Sequence, residues 1–226
     1  MPATLDEQME TASQALAELD YARCESLCVD ALKQARDASD WVMYQRVLLP
    51  LQETRRQRRQ AALDGPILLG TPGEQSDIAS QVADLDQGCV VLSWPTTSAD
   101  VVAIAEQVRQ SKRPIELLFA DNAPDSENWR ITSYAGPGLS IDLPAPKTEW
   151  IGQWIDASSV EPPTPAHWFM QASEALGNAA LAAIDAIPGS LEHLQALEDA
   201  LTCVDDHEIL HQRLAAAAKA LQEANR

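Results

Sequence analysis

The 226 residues predict a mixed α and β protein, with antiparallel helical hairpins at both ends flanking a small α/β unit in the middle. Apolar residues recur at spacings of three and four through the first sixty residues and again after Pro165, as on one side of a helix. Between them, ILLG (67–70), CVVLSW (89–94) and IELLFA (115–120) are short β-type runs separated by helix-length segments, the grammar of a βαβαβ unit. Gly65-Pro66 and the proline-rich stretch after Ala145 mark the changes of pattern. The expected division is 1–64 helical, 65–146 α/β, 147–165 a proline- and tryptophan-containing linker, and 166–226 helical.

The first apolar stripe runs through Leu5, Met9, Ala12, Leu16 and Leu19, the second through Tyr21, Cys24, Leu27, Cys28, Ala31, Leu32 and Ala35. Only Asp20 or so separates them, so the two helices must run antiparallel. The second stripe mixes small and large side chains, which permits close approach of a neighbouring helix. A second hairpin is expected from Asp40, an N-cap, with Trp41, Tyr44, Val47, Leu48 and Leu51 inward and Pro50 kinking or splitting the helix near Leu49.

Asp20, Tyr21, Cys24, Ala31 and Leu32 resemble the second helix of the tetratricopeptide repeat family. The interval from near Gln8 to Trp41, about 33 residues, is close to that family's period. Cys24 stands where the family has alanine, Cys28 where it has an aromatic, and the first helix lacks the family's tryptophan and glycine. The resemblance covers about the first sixty residues and extends more loosely to the C-terminal helices. It implies protein or peptide binding on a helical surface, with no chemistry and no cofactor.

Beyond Leu51, ETRRQRRQ (53–60) concentrates Arg55, Arg56, Arg58 and Arg59, a solvated face or a docking patch for an acidic partner or for this chain's own acidic portion. In the middle unit, helices are expected at about 74–85 and 98–111, and right-handed crossovers make the three strands parallel. WRITSY (129–134) and LSIDL (139–143), flanking Ala135-Gly136-Pro137-Gly138, predict a hairpin at one sheet edge. Gly70-Thr71-Pro72-Gly73 follows a strand as a phosphate loop would, yet it lacks the glycine fingerprint and the lysine, and Glu74 places an anion where phosphate would sit. Asp121, past the third strand, is a carboxylate at an edge where such sheets form sites.

In the linker, EWIGQWIDA lies among Pro146, Pro162, Pro163 and Pro165. Trp150, Ile151, Trp154 and Ile155 predict a helical turn or two, pinning the linker to the body or meeting a partner. Three further helices are expected at about 167–187, 191–204 and 206–224, divided by Pro188-Gly189-Ser190 and Asp205-Asp206.

One motif brings an enzyme into view. His207-Glu208-Ile209-Leu210-His211 is a literal HExxH, which on a helix sets two imidazoles one turn apart, with Glu208 as general base of a zinc hydrolase. The extended zinc pattern is missing, since Leu214 and Ala217 stand where it has glycine and histidine. With Ile209, Leu210 and Leu214 facing the core, His207 and His211 would fall towards solvent. No GxSxG occurs, and Asp205-Asp206 and Glu198-Asp199 read as helix-end or surface charges.

The net charge of −18 divides as −3 over residues 1–66 (8 basic, 11 acidic), −7 over 67–150 (5 and 12) and −8 over 151–226 (3 and 11). Such acidity repels nucleic acid and anionic membrane. Four cysteines in no disulfide framework, no signal-peptide pattern and no apolar run of about 18 residues predict a reduced, cytoplasmic chain. The leading expectation is therefore a non-catalytic interaction module using helix faces of the N-terminal hairpins, with the arginine cluster and Trp150/Trp154 as secondary surfaces. Behind it stand zinc hydrolysis at His207 and His211 and a small-ligand sensor on the sheet's C-terminal edge.

Overall fold

A computed structural model describes residues 4–73, 77–121, 126–156 and 164–224. The protein is mixed α and β, with eight α-helices and one six-stranded sheet among these residues. It forms two compact units, residues 1–58 with 181–226, and residues 59–180. Glu74, Pro162 and Pro163 lie outside the described residues.

The first unit begins with α1 (Leu5–Ala17) and α2 (Tyr21–Asp37), the expected antiparallel pair. Thr4 and Glu7 form a capping box that satisfies the first amides of α1. Ala12, Ala15, Cys24, Cys28, Ala31 and Ala35 are all buried, so backbones rather than long side chains set the helix spacing. The two turns in this region are built alike. Leu19 (φ 62) and Ser39 (φ 55) adopt the left-handed conformation. Asp20 N–H donates to the Ala15 carbonyl and Asp40 N–H to that of Ala35, closing two Schellman motifs. Asp20 and Asp40 then cap the next helix, accepting from Arg23 and Met43.

From Trp41 the structure departs from expectation. There is no second hairpin: α3 (Trp41–Leu63) is one helix with Pro50 inside it. Tyr44, Val47, Leu48, Leu51 and Thr54 are buried before and after the proline, and this continuous burial offsets the amide Pro50 cannot supply. The unit closes with α7 (Leu191–Leu201) and α8 (Glu208–Ala224). Tyr44 donates to Glu198 on α7, Arg36 pairs with Glu198 and donates to Gln195, and Gln45 donates to Gln222 on α8.

In the second unit the sheet comprises β1 (Pro66–Leu69), β2 (Gly88–Ser93), β3 (Ile115–Ala120), β4 (Asn128–Thr132), β5 (Ser140–Pro144) and β6 (Trp154–Asp156), in the order β5-β4-β3-β2-β1-β6. β1, β2 and β3 are parallel as expected, and β4 and β5 form the edge hairpin. Between the parallel strands run α4 (Ile78–Asp84) and α5 (Ser98–Ser111). Ile78, Val82, Val101, Ile104 and Val108 from these helices share one core with Leu68, Val90, Leu92, Leu117 and Phe119, so both crossovers cover the same face. Arg113 donates to the carbonyls of Ala83 and Leu85, satisfying the end of α4. All of β2 is buried, as a central strand covered on both faces must be. At β4, Trp129 is fully buried and meets Trp168 of α6 (Pro165–Ala182) edge to face at 5.4 Å.

The expected helical island at 150–155 is instead a single 3-10 turn, Thr148–Trp150, followed by a strand. β6 pairs antiparallel with β1, Trp154 opposite Leu68 and Ile155 opposite Ile67. Gly152, at φ 73, turns the chain between the two and donates to the Leu69 carbonyl. The segment expected to be a linker is thus in part an edge strand of the sheet.

Candidate functional site

Two stripes on α1 and α3 leave a groove of about 620 Å³ in the first unit. Asp6, Met9, Glu10, Ser13 and Leu16 recur at helical spacing along α1, and Arg46, Leu49, Pro50 and Glu53 do the same on α3. The positions flanking this stripe on α3 are the buried ones, Val47, Leu48 and Leu51, which turns Leu49 outward to 73% exposure. Arg46 bridges to Asp6 at 3.0 Å, and Glu53 accepts from Arg56 and Gln57. Pro50 carries no N–H, so the Arg46 carbonyl has no amide four residues on to accept from.

A second, smaller concavity of about 280 Å³ lies where α2, α3, α7 and α8 converge. Val29, Leu32, Leu51, Leu201 and Leu214 make its apolar lining, with Lys33, Arg36, Arg55, Glu198 and Asp205 among its polar residues. Here the charges already meet one another: Arg36 pairs with Glu198, and Arg55 donates to the Asp205 carbonyl at 3.0 Å.

Comparison with protein-family models, curated proteins and solved structures returned no match. The site therefore stands on its own geometry.

The arginine cluster is engaged within each unit. Glu25 of α2 takes both Arg55 (3.0 Å) and Arg58 (2.5 Å), Arg56 forks onto Glu53 one turn earlier, and Arg59 pairs with Glu116 of β3 at 3.5 Å. Each arginine of this run thus faces a carboxylate of the chain itself. Trp150 is buried with Lys147 4.7 Å over its ring, and Trp154 is half-buried against the sheet core, its indole N–H donating to Gln81 at 2.9 Å. Both tryptophans pin their segment to the second unit.

His207 and His211 do not face solvent as expected; they are 2% and 1% exposed, while Ile209 is 37% exposed. The buried arc of α8 runs through Leu210, His211, Leu214, Ala217 and Ala218, one position round from the expected stripe. His207 precedes the helix and its Nδ1 accepts from the Leu210 amide, and His211 Nδ1 lies 3.1 Å from the His207 carbonyl, to which it donates. That tautomer leaves His211 Nε2 a buried acceptor with no hydrogen-bond partner among the described residues. Burial is the main cause holding His211 down at about 4, the His207 carbonyl opposing it and Arg55 and His207 adding to it. Glu208 is exposed and accepts from Gln212. A catalytic zinc needs three protein ligands and an open position. Among the described residues, no group of three His, Cys, Asp or Glu side chains is placed to hold a metal.

At the sheet's C-terminal edge, Thr71 and Ser93 exchange two hydrogen bonds (3.0 and 2.9 Å) and Thr71 meets Thr96 at 2.8 Å, a network that ties β1 to β2. The parallel strands succeed one another in a single direction with both helices on one face, so they lack the reversal that opens a ligand crevice in doubly wound sheets. The groove on α1 and α3 is the concavity the sequence did not resolve. Leu49 was its available signal, an apolar residue on the wrong side of the Trp41–Leu51 stripe.

Proposed function

We propose that the chain is a protein-interaction module of tetratricopeptide-like helical packing, acting as a scaffold through helix faces of its first unit and carrying no chemistry of its own. The observation supporting this reading is the α1/α3 groove, lined by Met9, Leu16, Leu49 and Pro50 together with charged side chains, with Leu49 held 73% exposed by the burial of its neighbours. An exposed leucine in a concave surface that also carries charged side chains is what an interface anchor requires. The partner is a protein or peptide; a net charge of −18 disfavours nucleic acid. No helix among the described residues is long and apolar enough to cross a membrane. All four cysteines are free, three of them buried, which suits a reducing cytoplasm.

The test is a pull-down from native lysate with wild type and a Leu16→Ser/Leu49→Ser variant. Partners held by wild type and lost by the variant are expected. Equal recovery of every protein would remove the groove from consideration.

A further inference from the structure

We infer that the groove on α1 and α3 takes a protein segment carrying lysine or arginine beside apolar side chains, an inference that rests on the interaction reading above. α1 presents Asp6, Glu7 and Glu10 and no lysine or arginine. Of the carboxylates lining the groove, Asp6 is matched by Arg46, and Glu53 by Arg56 and Gln57. Glu10 is exposed, and its side chain makes no hydrogen bond or ion pair among the described residues. The one cation in the lining, Arg46, is already paired.

This asymmetry selects the partner's charge. An acidic segment would meet Glu10 and Glu53 with only a committed arginine to receive it, whereas a basic one gains Glu10 and displaces nothing. Lysine and arginine also carry aliphatic stems, which can lie along Leu16 and Leu49 while the charged head reaches Glu10. The stripe from Asp6 to Leu16 extends about 15 Å along the helix, the span of two to three turns of a docked helix or of four or five extended residues.

The full-length protein is panned against a random twelve-residue peptide library. Sequences combining basic and apolar residues should be enriched. A synthetic copy of the most enriched peptide should bind about tenfold more weakly to Leu49→Ser and about threefold more weakly to Glu10→Gln. It should bind unchanged to Asp30→Asn, which removes the same charge from an exposed position on α2 outside the groove. Circular dichroism of wild-type amplitude establishes that each variant is folded. Enrichment of acidic or uncharged peptides that still lose binding to Leu49→Ser overturns the basic chemistry and leaves the interaction reading intact. Equal loss with Glu10→Gln and Asp30→Asn reduces the effect to net charge and also overturns the inference. No enrichment above an unrelated acidic protein overturns both.

Discussion

Acidification should destabilise the first unit before most of its carboxylates protonate, through His211. The ring is buried in α8 and held at about 4, chiefly by desolvation of its charged form, against about 6.5 for an unfolded histidine. The folded value lies below the unfolded one, so the unfolded chain takes up the proton first. Stability is complete above pH 6.5 and declines as the pH falls from 6.5 towards 4. With those two values the linked loss is about 2 kcal/mol between pH 7 and pH 5, and about 3 kcal/mol by pH 4. Against a typical stability of 5 to 15 kcal/mol, this is a large fraction. Carboxylates such as Glu53, lowered by hydrogen bonds from Arg56 and Gln57, add their own loss from about pH 4.5 downward, at the foot of this window. The assay is native-state hydrogen exchange of α7 and α8 at pH 7, 6 and 5, for wild type and His211→Leu, alongside NMR titration of the imidazoles. Wild type should lose protection across the series and the variant should lose much less, whatever its stability at pH 7. A His211 midpoint near 6.5, or an unchanged slope in the variant, would refute the reasoning.

Other outcomes follow from packing. Glu25→Gln removes the carboxylate that Arg55 and Arg58 share, their side chains being only 14% and 21% exposed; because Arg55 keeps the Asp205 carbonyl, a loss of about 1 kcal/mol, well below that of a fully buried pair, is expected in urea denaturation. Leu19→Gly should raise the melting temperature, since Leu19 holds φ 62 while its side chain, 68% exposed, packs little against the body, and glycine relieves a left-handed strain of about 1 kcal/mol. Gly88→Ala should lower thermal stability by about 2 kcal/mol or more, because an added Cβ would lie 2.6 Å from the backbone oxygen of Pro66 and force β1 and β2 apart.

Where local pattern and tertiary demand agreed, the sequence was read almost to the residue. The Ser98–Ser111 helix, capped by Thr97 where Ser98 was the expected cap, the three parallel strands and the α1/α2 pair are such cases, their apolar periods and flanking turn residues pointing the same way. It misled where a distant element decided. EWIGQWIDA has apolar spacing that suits a helix, but the free edge of β1 offered ladder hydrogen bonds to residues 154–156, and no periodicity within the segment reveals that edge. At Pro50 the helix does not split, because the local rule against an interior proline was outweighed by burial of Leu48, Leu51 and Thr54 around it.

The histidines and the groove share one lesson about helix faces. Ile209, Leu210 and Leu214 suggested an inward arc that excluded His207 and His211, yet 207, 210, 211, 214 and 218 also satisfy helical spacing, and the small Ala217 and Ala218 let that arc pack closely. A histidine is then buried with its second nitrogen unmatched, and that burial underlies the acid lability predicted for α8. On α3 the same ambiguity ran the other way: inward selection of Val47, Leu48 and Leu51 left Leu49 exposed on a helix that was expected to kink or split there. The groove requires that the helix continue, since Arg46 and Glu53 share a face with Leu49 only if the turns before and after Pro50 remain in register. Continuity through the proline is therefore the structural condition for the groove that α1 and α3 share.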